Sequence, residues 1–436
     1  MGIGGTMEFW DRKKECMQRD EIEQIQLERL QATLNRVYKN VSHYKKVFRN
    51  IDFFPEDLRS LEELQKLPFT TRKDLRDNYP YGMFAVPLRE VVRLHAPALT
   101  LDNPVVIGFT VNDLRAWARL KARELTAVGV KKDDVVQVSL TLGKMAGPFG
   151  IQLGTELIGA SFIPLSGGKL PSQVRIMRDF RTSTLVTTPT FALSLADTMD
   201  QLGIETMDLS LKYCILCSEP WSETTRHELE SRLHVTATDS YGLMEIFGPG
   251  VGWECSERRG LHIAEDHFVP EIIDPQSGKP LPPGAEGELV LTTLSKEAFP
   301  LIRFRTGDVA SMNTDVCVCG RTHCRISRVN KRCDGIIVMK GTSINPGHIG
   351  HILAMVNKDL PKYQIVIDKQ DGQDHLTVLI EISDTLFFDE MSKQKNLVDS
   401  FHQAVSEFLG WEVKIKLVEP ESLDSDKQVL DKRKFQ

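Results

Sequence analysis

No stretch of this chain of 436 residues approaches the roughly 18 consecutive apolar residues of a membrane-spanning helix. No apolar core of a secretory signal follows its first residues. Positive charge is not in excess. The chain has 54 Lys and Arg against 60 Asp and Glu, a net charge of −6 and a pI near 6.0, and so offers no electrostatic ground for a nucleic-acid or anionic-membrane partner. Cysteine is sparse, eight residues without a secretion signal, which argues for a reducing, cytoplasmic setting and for metal ligation over a disulfide framework. Composition is otherwise ordinary, 41% hydrophobic and 26% charged, and the length allows a large core plus a second domain. Met1-Gly-Ile-Gly-Gly-Thr6 fits a myristoylation pattern on paper. The blander reading, an over-long start with Met7 opening the chain, is preferred.

The chain is organised around Asp239-Ser-Tyr-Gly-Leu-Met-Glu-Ile-Phe-Gly-Pro-Gly250. A β-branched run, Val235–Thr238, precedes it as a buried strand, and a Gly-Pro-Gly turn is expected to end it. Tyr241 beside Gly242 suits a flat ring under a ligand that the backbone approaches closely. Glu245 is a carboxylate able to hold Mg2+ through water. Upstream, Ser218-Glu219-Pro220-Trp221 closes the strand-like run Tyr213–Cys217, and downstream comes Arg303-Phe-Arg-Thr-Gly-Asp308. All three are expected as loops at strand ends.

Three such loops in this order resemble the nucleotide site of the adenylate-forming enzymes. Three further stretches narrow the likeness together with the 241–250 motif itself: Gly260–Phe268, Pro270–Pro275 and Thr292-Thr-Leu-Ser-Lys-Glu-Ala298. Together they resemble the phenylacetate–CoA ligase family, which also holds proteins described as coenzyme F390 synthetases, from about residue 10 to the C-terminus. The resemblance implies an α/β fold. By that resemblance residues 1–333 are expected to form a large N-terminal domain with a helical start, and residues 334–436 a small mobile α+β domain, hinged near Asp334. It implies ATP, Mg2+ and CoA as reactants, AMP as product, a small (aryl) carboxylic acid as substrate, and a homodimer. By the same resemblance Ser218, Glu219, Pro220, Asp239, Tyr241, Gly242, Asp308 and Arg332 hold the nucleotide. Glu245 holds Mg2+, and Lys427 is the candidate catalytic lysine.

The chain departs from the family where phosphates are bound. The family's phosphate loop is rich in Ser, Thr and Gly, ends in Gly-Lys-Pro, and cradles phosphates with backbone N–H groups and its lysine. Here His95–Thr110 keeps the flanks, but the loop glycines fall on Leu99 and Asp102 and the lysine on Asn103. An Asp carboxylate near a phosphate repels it. Met244 stands where relatives carry a hydroxyl, and methionine donates no hydrogen bond. Near the C-terminus, aligning Val429, Asp431 and Arg433 with the family's ending puts the catalytic lysine position on Ser425, with Lys427 two residues on and on the same face of an extended segment. A rival expectation follows: a relative that binds AMP, an acyl-adenylate or a CoA thioester without turning over ATP. A third is an enzyme that starts from a pre-formed acyl-adenylate.

Cys255, His262, Cys317 and Cys319 make a Cys3His set suited to structural Zn2+, an arrangement carried by some family members, with Cys324 as a substitute fourth ligand. Buried free thiols are the plain alternative. Elsewhere the periodicity predicts helices over 15–50, a helix after Thr70 or Thr71, and helices over Gln173–Phe180 and Phe191–Leu202. These alternate with strands over Asp134–Leu142, Ala160–Leu165 and Ser183–Pro189. That alternation predicts βαβ units and a largely parallel sheet, with ligands at the carboxyl ends of its strands. Lys144 opens a glycine-rich turn near the expected acid pocket.

Overall fold

The computed structural model describes residues 8–96, 104–140, 147–165, 168–357, 362–370, 373–381, 391–419, 421–423 and 427–433. Leu99, Asp102, Asn103, Lys144, Ser425 and the Met1–Thr6 segment lie outside the described residues. The chain divides into two compact units. The first runs to Ser218 and from Thr225 to Cys333, and the second holds Glu219–Thr224 and Asp334 onward.

The first unit opens on α1 (Arg12–Glu15), α2 (Arg19–Asn40) and α3 (Ser42–Asn50). α2 buries Ile22, Gln26, Leu30, Thr33, Leu34 and Val37, the stripe that three- and four-residue spacing predicts. Tyr44 is scaffold: it is buried, its hydroxyl pairs with Thr70 at 3.0 Å, and it accepts from the Ile302 N–H at 3.1 Å. α4 (Arg72–Asp77) is capped by Thr71, whose partner in the box is Asp74.

A small antiparallel pair, β1 (Arg93–His95) with β2 (Ile107–Phe109), leads into α5 (Val111–Val128). Thr110 caps α5 and exchanges hydrogen bonds with Asp113 at 2.9 and 3.1 Å. Then follow β3 (Val135–Ser139), α6 (Gly147–Ile158), β4 (Ser161–Leu165), α7 (Leu170–Asp179), β5 (Thr184–Thr187), α8 (Pro189–Leu202), β6 (Tyr213–Cys217), α9 (Glu223–Leu233) and β7 (Thr236–Leu243). β4, β3, β5, β6 and β7 lie parallel in that spatial order. The sheet is larger and more mixed than the sequence pattern suggests. β8 (Gly248–Glu254), β9 (Leu261–Ile263), β13 (Met312–Asn313) and β14 (Arg325–Ile326) extend it antiparallel to nine strands. A second, antiparallel sheet runs β10 (Phe268–Ile273), β11 (Gly287–Thr293), β12 (Phe304–Ala310) and β15 (Lys331–Arg332). One core joins these layers around Trp117, Phe109, Phe247, Phe268, Phe299 and Phe304.

The second unit has a hairpin, β16 (Ile337–Met339) with β17 (Thr342–Ile344), and a four-stranded sheet. That sheet is ordered β20 (Lys414–Val418), β19 (Gln373–Glu381), β18 (Tyr363–Gln370), β21 (Val429–Asp431). With α10 (Pro346–Val356) and α11 (Met391–Leu409) it encloses its own core of Ile365, Ile367, Val378, Ile380, Phe401 and Val405. The architecture is α/β. No helix among the described residues is long and apolar enough to cross a membrane.

Candidate nucleotide site and cysteine–histidine cluster

β7 carries the motif, but not as a loop. Asp239 and Tyr241 lie within the strand, and Gly248-Pro249-Gly250 is the start of β8 and not a turn. The reversal falls at residues 244–247, so Glu245 sits in a hairpin. Glycine makes the hairpin possible: a Cβ on Gly242 would lie 1.8 Å from the Gly248 carbonyl oxygen. Asp308 is likewise in a strand, β12, paired with Arg332 of β15. Between Glu288↔Val309 and Val290↔Arg305 the register slips, and Gly307 takes a φ of 76° there. This bulge re-aims Asp308. Strand propensity and a turn-like Gly-Asp conflict in the sequence, and the bulge accommodates both.

These strands bring three predicted residues together. The Tyr241 hydroxyl donates to Asp308 Oδ2 at 2.7 Å, and the Arg332 guanidinium pairs with Oδ1. Arg332 also donates to the Thr306 carbonyl at 2.9 Å, and the Asp308 N–H donates to Thr306 Oγ1 at 3.0 Å. Burial, then the Asp308 charge, pushes the Tyr241 phenol well above its ordinary range, so it stays a donor. A carboxylate has about four acceptor positions, and Tyr241 and Arg332 are among the partners that Asp308 serves. Asp239 is fixed separately, its N–H donating to Glu254 at 2.8 Å and its Oδ2 lying 3.3 Å from Arg328 Nε.

Ser218 follows β6 with a φ of 69°, a left-handed conformation that non-glycine residues rarely hold except at sites that need it. β6 pairs with β7 through Cys217↔Ser240, which sets Ser218 beside the motif strand. Glu219 and Pro220 belong to the second unit, as does Lys427. Lys427 is exposed, and its carbonyl accepts from Gln364 Nε2 at 2.6 Å.

Glu245 accepts from Arg72 Nε at 3.0 Å, and Arg72 also donates to the Thr306 carbonyl at 2.8 Å. Met244 packs on the hydrophobic core. Sequence reasoning assigned no role to Arg72, although it opens the helix capped by Thr71. It also gave none to Lys296, the one cation of the Thr292–Ala298 motif.

The cysteine–histidine set converges. β8 ends just before Cys255, β9 holds His262, and β14 pairs Arg325 with His262, so the 317–324 loop folds back onto the pair. The donor atoms of Cys255, His262, Cys317 and Cys319 all lie within 4.8 Å of one another, and all four residues are buried. Cys255 Sγ and Cys317 Sγ are 3.9 Å apart, and Cys319 Sγ is 3.6 Å from His262 Nε2. Zn–S bonds of about 2.3 Å and Zn–N bonds of about 2.0 Å give tetrahedral edges of roughly 3.6–3.8 Å, so donor type and spacing fit a closed four-ligand centre. The hydrogen bond from Cys255 and the adjacent His262 draw Cys319 toward the thiolate. Arg321 Nη1 lies 3.7 Å from the same sulfur. Cys324 is buried but stands outside the cluster, so His262 and not Cys324 completes the set.

Two domain models match the sequence: AMP-binding enzyme over residues 109–295, and AMP-binding enzyme C-terminal domain over residues 341–433. The chain is thus an AMP-binding, adenylate-forming protein by class. It is 38% identical to a phenylacetate–coenzyme A ligase of Aromatoleum evansii over 421 residues, 95% of each chain. It is 40% identical to one of Pseudomonas putida over 399 residues, covering 91% of this chain and 90% of that protein. It belongs to the phenylacetate–coenzyme A ligase family. Among solved structures, a 2-hydroxyisobutyryl-CoA ligase in complex with 2-HIB-AMP and CoA matches with a TM-score of 0.91 at 23% identity. That match covers 100% of this chain and 94% of the other, and it establishes the common fold.

Proposed function

We propose that the protein is an AMP-forming acyl-CoA ligase acting on an aryl carboxylic acid of the phenylacetate type. The observation that carries this reading is the Tyr241–Asp308–Arg332 arrangement, a buried carboxylate of one sheet held by a phenol from the other sheet and by a guanidinium from its neighbouring strand. In the first half-reaction a carboxylate oxygen of the acid attacks the α-phosphorus of ATP, an acyl-adenylate forms and pyrophosphate leaves. In the second the CoA sulfur, as thiolate, attacks the acyl carbon and AMP leaves with the bridging oxygen.

Asp308 accepts the two ribose hydroxyls. The Tyr241 ring, with Gly242, Asp239 and Ser218-Glu219-Pro220, forms the bed of the adenine, and Arg332 orients Asp308. Glu245 holds Mg2+ through water; bound there, the ion neutralises phosphate charge. Lys427 supplies the positive charge that offsets the developing negative charge at the α-phosphate. Cys255, His262, Cys317 and Cys319 hold a structural Zn2+ that pins the 255–262 and 317–324 segments together. We place the protein in the cytoplasm, as a homodimer. No observation among the described residues favours the non-catalytic alternative.

The test is a single turnover with Mg-ATP and carboxyl-18O-labelled phenylacetate, with and without CoA. Label appearing in AMP, with phenylacetyl-CoA formed only when CoA is present, is the expected result. Unlabelled AMP, or ADP as product, contradicts the reading.

A further inference from the structure

A buried cation lies behind the Glu245 hairpin, and neither half-reaction as written uses it. Lys296 is 2% exposed. Its ammonium donates to the Glu245 carbonyl at 3.1 Å and to the Ile246 carbonyl. Three aromatic faces complete its surroundings: Phe109 at 4.5 Å, Phe247 at 5.1 Å and Phe299 at 5.6 Å from the ring centroids. The nearest carboxylates are those of Asp113 and Glu245, and neither forms an ion pair with it among the described residues. Asp113 is taken up by the N–H groups of Thr110, Glu297 and Ala298 at 2.9, 2.6 and 3.0 Å.

An ammonium left in an apolar cage is unfavourable unless its contacts are specific. A methionine would fill the same space without that penalty. The contacts here are specific. Both carbonyls belong to the hairpin turn that presents Glu245, and among the turn's other bonds is the Ile246 N–H to the Leu243 carbonyl at 3.1 Å. Phe109 precedes Thr110, so the cage also touches the strand that follows the 97–103 segment.

We propose that Lys296 is a positioning residue for the divalent cation: by clamping the Glu245 and Ile246 carbonyls it fixes the hairpin so that the Glu245 carboxylate faces the metal bound with ATP. The proposal rests on the reading of Glu245 as the Mg2+ residue.

The test is a free-Mg2+ titration of the wild type, K296M, K296R and E245Q at one pH, read by calorimetry with a non-hydrolysable ATP analogue bound and by pyrophosphate release at fixed ATP and acid. Charged hydrogen bonds of this kind correspond to roughly ten- to hundredfold in an equilibrium. The expected outcome is a Mg2+ half-saturation raised at least about tenfold in K296M in both readouts. In K296R, which keeps the charge, it stays within about threefold of wild type. KM for CoA is unchanged throughout. If K296M only lowers thermal stability and leaves Mg2+ half-saturation alone, the lysine is structural and the proposal falls. If E245Q leaves Mg2+ half-saturation unchanged, the Glu245 reading fails on its own account. Should K296M not fold, K296Q takes its place, and an unchanged Mg2+ half-saturation there overturns the proposal.

Discussion

Replacing Asp308 with Asn removes one charge from a carboxylate whose side chain is 4% exposed and whose partners are Tyr241 at 2.7 Å and Arg332. Stability falls first. Breaking a buried pair by removing one partner costs about 3–5 kcal/mol. Arg332 is 11% exposed and keeps its bond to the Thr306 carbonyl, which places the expected loss nearer 2–3 kcal/mol, by the same reasoning. Nucleotide affinity falls separately. Two hydrogen bonds from ribose hydroxyls to a carboxylate contribute about 1.5–3 kcal/mol each. An amide offers one acceptor oxygen and turns its NH2 toward another donor, so a net loss of about 3 kcal/mol, or roughly a hundredfold in AMP affinity, is expected. Calorimetric titration with AMP, well below the melting transition and with folding checked by circular dichroism, measures it. A folded Asp308→Asn protein that binds AMP within about threefold of wild type would refute the assignment of Asp308 to the ribose.

Lys427→Met is expected to slow acyl-adenylate formation at least about a hundredfold, while thioester formation from supplied acyl-adenylate and CoA survives. Equal loss in both half-reactions, followed by quenched-flow, would show that Lys427 is not the adenylation lysine. Cys319→Ala is expected to strip bound zinc, read by elemental analysis, and to lower the urea midpoint; unchanged metal content would leave Cys319 outside the centre. His267 is buried and pushed down to about 3 by burial, against the pull of Asp266. Its folded value lies below its unfolded value, so it stays neutral while the unfolded chain takes up a proton. Stability is therefore full above about pH 6.5 and lost as pH falls from there toward 3, by up to roughly 5 kcal/mol. Urea unfolding of His267→Gln between pH 7 and 4 should show a flatter acid limb, and an unchanged slope would assign it elsewhere.

Much of this was legible in the sequence where local chemistry decides the outcome. Thr71 with Asp74, the β-branched run into Asp239 and the alternation from Val135 to Thr187 are local signals, and each forms the expected element. The cysteine–histidine set was legible because thiolates and imidazole at four positions have few other uses. The rest depends on partners far apart in sequence. Nothing local marks α5 as a buried helix, because Lys121, Arg123 and Glu124 read as a solvated face. Arg123 meets Asp266, 143 residues away, at 2.8 and 3.0 Å, and only that distant partner explains its burial, whereas Lys121 pairs with Glu124 within the helix. Asp308 was chemically legible but geometrically misplaced, since a Gly-Asp pair signals a turn and only the β11–β12 register reveals the bulge. Arg72 and Lys296 carry no local signal at all. Their meaning comes from Glu245, 173 residues from Arg72 and 51 from Lys296.

The claim that the protein is an AMP-forming ligase is tested most directly by pyrophosphate release from Mg-ATP across a panel of aryl and aliphatic carboxylic acids, with and without CoA. The panel also addresses Leu99, Asp102 and Asn103, at the family's phosphate-loop positions. The account predicts acid-dependent pyrophosphate release that is strongest with an arylacetic acid and rises when CoA is added. AMP binding with no pyrophosphate from any acid would contradict it.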